Sequence, residues 1–334
     1  LQAFSPAEAG ADAVNASWAP ARYDTIPVGG ALGLGTTSLG SGESYTDSLL
    51  RLNGTLFLIR SIGERRTAAD SMLARSTVGR LVRLAPPTIA MNAAVTTLQG
   101  FTSTGSTWIS GRDSVPVGWG SECPPTGRSR AGLRDSSGVV NTSGPCAGGG
   151  CLSGTPQVVI DSGLTSAALT GFGSLSFADL FGSADVRVSG SVGGLGPAAL
   201  GVAPSWTCDR SIATNWGGPS GVNPCSRYFP IIAGSGGTRI TGGTGQGVLL
   251  VAGDLEMTGG FEFFGPVIVL GTFRSTGAGG HIQGGLLAAK AEFDATPVAG
   301  GSGVDFSGCA IGRALQGSAR ARPLAARSWL RLYD

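Results

Sequence analysis

The chain has 334 residues, 58 of them glycine, with 41% apolar and 13% charged residues and a formal net charge of +2. That length supports one large or two ordinary domains, and an apolar fraction this high excludes a disordered chain, while the lack of a strict glycine triplet excludes collagen. A near-neutral charge, with Lys290 the only lysine, leaves no electrostatic footprint for nucleic acid, so no nucleic-acid partner is expected.

Four regions are expected in chain order. Residues 1–21 hold a helix remnant, because Phe4, Ala7, Ala11, Val14 and Trp18 fall near helical spacing. Residues 22–95 form a hairpin-containing region. Its first part, about 22–43, reads as an extended glycine-rich loop. "SLLRLNGTLFLIRSIGERR" then places two apolar runs around Asn53-Gly54, a pair that favours a two-residue hairpin turn. The following "ADSMLARSTVGRLVRL" fits a third strand or a short helix, and Pro86-Pro87 ends the block.

Residues 96–312 read as a glycine-rich β-solenoid with cysteine loop insertions. Residues 120–156 are expected to be irregular, 174–184 a short helix, and 204–230 a second cysteine loop. The clearest signal follows them. Val251-Ala-Gly-Asp-Leu255 aligns with Val269-Leu-Gly-Thr-Phe273 and then with Leu287-Ala-Ala-Lys-Ala291, each copy 18 residues on. Strands rise ~3.3 Å per residue, so one such repeat holds three short strands with tight corners, and stacked copies share a core that one copy could not bury. A glycine-rich antiparallel sandwich with evenly spaced turns is the competing reading. The fold class expected is therefore mainly β: a short N-terminal helix, then glycine-rich strands ending in a parallel β-helix with disulfide-stapled loops. Residues 313–334 form a basic, aromatic tail carrying Arg313, Arg320, Arg322, Arg327 and Arg331. A solvated end is the plainer reading of that charge. Trp329, Leu330, Leu332 and Tyr333 make it a docking candidate, being too apolar to sit idle in water.

The six cysteines, Cys123, Cys146, Cys151, Cys208, Cys225 and Cys309, lie among Gly, Pro and Ser. An even count in such loops points to disulfides and an oxidising, extracytoplasmic compartment. Zinc would need closely paired cysteines and histidines, whereas His281 is the one histidine and no such pair occurs. Many connectivities are open. Sequence proximity favours Cys146 with Cys151 and Cys208 with Cys225, leaving Cys123 for Cys309.

Catalytic signals are weak. Asp254 and Glu256 are two apart on one repeat, with Glu262 and Glu292 nearby, and a glycosidase pair would need such carboxylates facing each other; solvated outward-facing residues are the favoured reading. His281 has no nucleophile motif beside it, and no phosphate loop or nucleophile elbow is present. Asn15, Asn53 and Asn141 each begin an Asn-x-Ser/Thr triplet, which chance supplies readily in a Ser/Thr-rich chain. No catalytic residue, cofactor or metal site is expected.

"LQAFSPAEAG" resembles the segment that closes the N-terminal helix in the PilX-like family of type IV pilus accessory proteins. The matching residues are Ala3, Phe4, Ala7, Glu8, Ala9 and Gly10, with Pro6 an unusual intrusion. "MNAAVTTLQGFTSTGSTWISGRD", the repeats from 247, "DFSGCAIGRAL" and "RSWLRLY" are similar to C-terminal regions of large members. The family's apolar membrane helix and prepilin cleavage site are not in this sequence, so any membrane attachment would depend on an upstream helix. The resemblance implies a non-enzymatic bacterial surface subunit whose partners are other pilin-like or surface-assembly subunits, or further copies of itself. A secreted β-helix adhesin or filament-forming solenoid is the alternative, and a carbohydrate-active β-helix enzyme stands behind it.

Overall fold

The structure, a computed structural model, describes residues 3–18, 23, 26–120, 123, 127–203, 205–219, 223–295, 301–324 and 328–332. It divides into two compact units, one of residues 1–86 with 319–334 and the other of residues 87–318. The expected boundary near residue 95 thus lies at the Pro86-Pro87 pair, and the tail splits between the units.

In the first unit, helix α1 (Phe4–Ala16) buries Pro6, Ala7, Gly10, Ala11 and Val14 on one face. Pro6 is tolerated because first-turn amides have no intrahelical partner to lose. An antiparallel meander runs β1 (Ala31–Gly40), β2 (Glu43–Arg51), β3 (Leu56–Arg66) and β4 (Met72–Ala85). The β2–β3 hairpin forms where Asn53-Gly54 points to it, but not through the expected two-residue turn: Arg51 pairs with Phe57, and the longer loop is closed by the Asn53 side-chain oxygen, which accepts the Thr55 and Leu56 amides, each at 2.9 Å. Segment 72–85, open between helix and strand by sequence, is a strand because its backbone pairs with β3 along nearly its whole length.

The expected loop over 22–43 is corrected by β1. Its glycines do not prevent pairing at a sheet edge, where the backbone needs a partner on one side only. The strand pairs with β2 through a register shift at Gly33/Gly35, and only Leu32 and Leu34 reach the core. The tail is likewise not a free solvated end: Arg320–Pro323 and Trp329–Leu332 are both strands antiparallel to β4.

Two glycines set the distance between α1 and the sheet. A Cβ on Gly63 of β3 would overlap the Ala3 carbonyl and the Ala7 amide nitrogen, and one on Gly10 would overlap Ser61, Asp47 and Tyr45 side chains. The helix therefore rests directly on strand backbone. Leu49, Phe57, Ile59, Val78 and Val82 complete this core with Trp18.

The second unit is built on one large parallel sheet, whose strands form three ladders. In the first ladder Val186, Ile232, Leu249, Val267, Leu286, Val95, Leu133 and Val158 are successive register partners. In the second, Thr238, Leu255, Phe273, Ala291, Phe101 and Val140 follow one another. In the third the order is Gly245, Phe263, Ile282, Val304, Ile109 and Leu152. Nearly all of these positions are fully buried, so the ladders share one apolar core.

The expected 18-residue register appears where Val251 pairs with Val269, Leu255 with Phe273 and Phe273 with Ala291. Val269, however, pairs with Ala288 rather than Leu287, because the register shifts between Val269 and Thr272. There Leu270 and Gly271 oppose a single residue, as in a bulge. A Cβ on Gly271 would overlap the Asp254 side chain and the Gly253 backbone.

The order of strands is not the order of the chain. The polypeptide enters the sheet in its middle at Ala93, builds outward to Ile160, returns, and re-enters at the opposite end at Val186. It then builds back until strands Gly280–Ala295 and Ser302–Phe306 pair with Ala93–Thr97, Phe101–Ser103 and Thr107–Ser110. A seam between segments nearly two hundred residues apart thus lies inside the sheet. The returning segment covers one face through helices Ala167–Thr170 and Phe177–Gly182, the latter inside the expected 174–184 and closed by a Ser176/Asp179 capping box.

The expected irregular loop over 120–156 is corrected in the same way: Ala131–Asp135 and Val140–Thr142 are strands, paired with Ala93–Thr97 and Phe101–Ser103. Buried Asp135 accepts the Thr97 hydroxyl at 2.7 Å across that pairing. Helix Gly308–Gly317, not anticipated, follows the last rung and buries Ala310, Ile311 and Ala314.

Candidate functional site

The structure joins Cys123 to Cys309, Cys146 to Cys151 and Cys208 to Cys225, with Cα separations of 5.7, 4.7 and 4.8 Å. Their positions follow the ladder plan. Cys146–Cys151 adjoins Leu152, the last rung of the third ladder, and Cys208–Cys225 adjoins its first rung, where Gln246 donates to the Cys225, Ser226 and Tyr228 carbonyls. Cys123–Cys309 follows the two strands that meet at the seam.

Of the carboxylates singled out by sequence, Asp254, Glu256 and Glu292 are each paired with a basic side chain. In-register neighbours along the outside of the second ladder alternate in charge as Arg239, Glu256, Arg274 and Glu292. Arg274 lies 3.4 Å from Asp254 and 2.9 Å from Glu292, Arg239 lies 3.6 Å from Glu256, and Lys290 lies 2.7 Å from Glu292. Hydrogen bonds from Lys290 first, and then Arg274, hold the Glu292 carboxyl below its ordinary range. Exposed pairs of this kind contribute roughly 0–1 kcal/mol each, so this row settles register more than stability. Asn141 ends the same row, next to Thr102.

His281 is half-buried and meets Trp108 edge-on, with ring centroids 4.2 Å apart. Burial pushes its pKa down, against the opposing influence of Glu262 and Asp305. The Trp108 indole nitrogen donates to Asp305 at 3.0 Å. Sequence reading missed Trp108 and Asp305. The one local signal was Gly303, in register between His281 and Trp108.

In the first unit, Ala3, Phe4, Ala7, Glu8, Ala9 and Gly10 are brought to the start of α1, with Ala3, Ala7 and Gly10 buried and Ala9 exposed. Beneath Gly10 lies the buried Asp47, whose Oδ1 has no hydrogen-bond partner. Burial pushes the Asp47 pKa up, and the Ser61 hydroxyl offsets only part of this. A raised folded-state pKa means the native state holds the proton more tightly than the unfolded chain. Stability should therefore fall as pH rises through the window between the ordinary carboxylate value and the raised one, and stay reduced above it. Asp47→Asn, which removes the buried charge, should raise the melting temperature of the first unit at pH 7 to 8. The gain should shrink as the pH falls into that window, which thermal melts across a pH series would measure.

Of the docking candidates, Trp329 and Leu330 remain 39% and 37% exposed on the last strand. Leu330 and Leu332 lie over Gly79, and the Arg80 guanidinium sits 4.6 Å from the Trp329 ring centre while pairing with Asp12 of α1. Tyr333 and Arg327 lie outside the described residues.

No helix among the described residues is long and apolar enough to cross a membrane. Among the same residues no group of three or more His, Cys, Asp or Glu is placed to hold a metal ion. No protein-family model matches the chain, and no curated protein does. Among solved structures, the competence-associated pilin ComZ from Thermus thermophilus is similar over 99% of this chain and 97% of its own, at 14% identity and a TM-score of 0.30.

Proposed function

We propose that this chain is a non-enzymatic, pilin-like subunit of a type IV pilus-type assembly on a bacterial surface. In this reading the three parallel ladders are the faces of a β-solenoid head, cross-linked by disulfides and presented for assembly or adhesion. The observation that carries it is α1: a helix bearing the family-like Ala3 to Gly10 motif, laid against an antiparallel meander at the distance that Gly10 and Gly63 permit. The charge-paired carboxylates of the second ladder support a structural rather than catalytic surface. Disulfides fit an oxidising compartment. Other pilin-like subunits, or further copies of the chain, are the partners expected.

The N-terminus of the native gene product tests this. Intact mass and the upstream coding sequence should reveal an apolar helix of about 20 residues running into Ala3, preceded by a short basic leader. A conventional cleaved signal peptide ending at Leu1 would sink the reading and favour a secreted adhesin.

A further inference from the structure

The outer side of the third ladder carries an aromatic surface assembled across the seam. Glu262, His281 and Gly303 are successive register partners, and Trp108 follows Gly303. A Cβ at 303 would collide with indole atoms Cε2, Nε1 and Cδ2, and one at Gly301 would touch Cζ3. The indole therefore lies flat on the Gly301–Gly303 backbone, a posture only glycine at 303 allows. Its inner face is against the sheet, and its contact with His281 is T-shaped. Asp305 fixes the ring by accepting its N–H. Glu262 is exposed, and Trp108, His281, Gln283 and Asp305 are half-buried on the same side. Rungs are spaced ~4.8 Å apart, so about 10 Å of backbone separates Glu262 from the rung beneath the indole, a gap that the glutamate side chain closes towards the rim of a ring stacked there.

A flat indole ringed by acceptors suits a ring that offers C–H bonds on one face and hydroxyls at its rim. A pyranose does so. Nucleobases also stack on aromatic rings, but they require a basic groove for the phosphates, and here two carboxylates flank the indole. We propose that Trp108 is a stacking platform for one pyranose ring of a neutral glycan, with Asp305, Glu262 and His281 engaging its hydroxyls. The carboxylates disfavour uronic acids and other anionic sugars by like-charge repulsion. This site stands on the second unit alone and does not depend on the assembly reading.

The test uses the full chain with cellohexaose, maltohexaose and chitohexaose as neutral probes, and with oligogalacturonate and an oligothymidylate as anionic ones. Binding is read by saturation-transfer NMR and calorimetry. At least one neutral probe should bind saturably. Trp108→Ala should weaken it by roughly tenfold or more, as loss of a stacking platform does, and Glu262→Gln, at an exposed position, by a smaller factor. Trp108→Phe, which keeps an aromatic cover over Gly303, should retain part of the affinity. Failure of all three neutral probes overturns the proposal. So does tighter binding of either anionic probe, or affinity unchanged in Glu262→Gln and in a folded Trp108→Ala.

Discussion

Replacing Cys123 and Cys309 together by alanine should lower the stability of the second unit by about 5 kcal/mol in the chain-entropy account of disulfides. The bond spans a sequence separation of 186, against 17 for Cys208–Cys225 and 5 for Cys146–Cys151, for which the same account gives about 3 and about 2 kcal/mol. Position reinforces the ranking. The long bond lies just beyond the strands that meet at the seam, where Leu286 pairs with Val95 and Val304 with Ile109. Without it, the unfolded chain must bring those segments together unaided. Denaturant midpoints of the three double variants, measured without reductant, should fall in the order of loop length, and a Cys146/Cys151 variant as damaged as the Cys123/Cys309 one would contradict the account.

Phe57→Ala should cost the first unit about 3–5 kcal/mol, the usual penalty for emptying a buried aromatic site. Phe57 is fully buried at the centre of the smaller core. Its ring meets Trp18 edge-to-face at 5.2 Å, and Arg51 lies 5.4 Å above it. The neighbours cannot close the gap, because α1 already touches strand backbone at Gly63 and has no room to settle further. Calorimetry should show this loss in the transition of the first unit, with the second-unit transition unmoved. A shift of both would mean that the units melt as one.

What could be read from the sequence was whatever depends on neighbours in the chain. The apolar stripe from Ala7 to Val14 gave α1, Asn53-Gly54 gave the hairpin, and the 18-residue spacing gave the pairing of Leu255, Phe273 and Ala291. What escaped depends on distant partners. Strand β1 has few side chains to announce it and exists because β2 pairs with its backbone. Ala131–Asp135 looks like loop until Ala93–Thr97 lies beside it. The Trp108–Asp305 bond joins residues 197 apart, and no local pattern links them. Even the repeat slipped by one residue at Leu270-Gly271, since a bulge alters spacing without altering composition.

The pairing of Ala85 with Arg320 has a consequence for modularity. These partners flank the whole second unit, so the polypeptide leaves the smaller sheet and rejoins it at one point on adjacent strands. Such an arrangement behaves as a socket. The insert can be exchanged or removed and the gap bridged by a tight turn, with the host sheet keeping every other pairing.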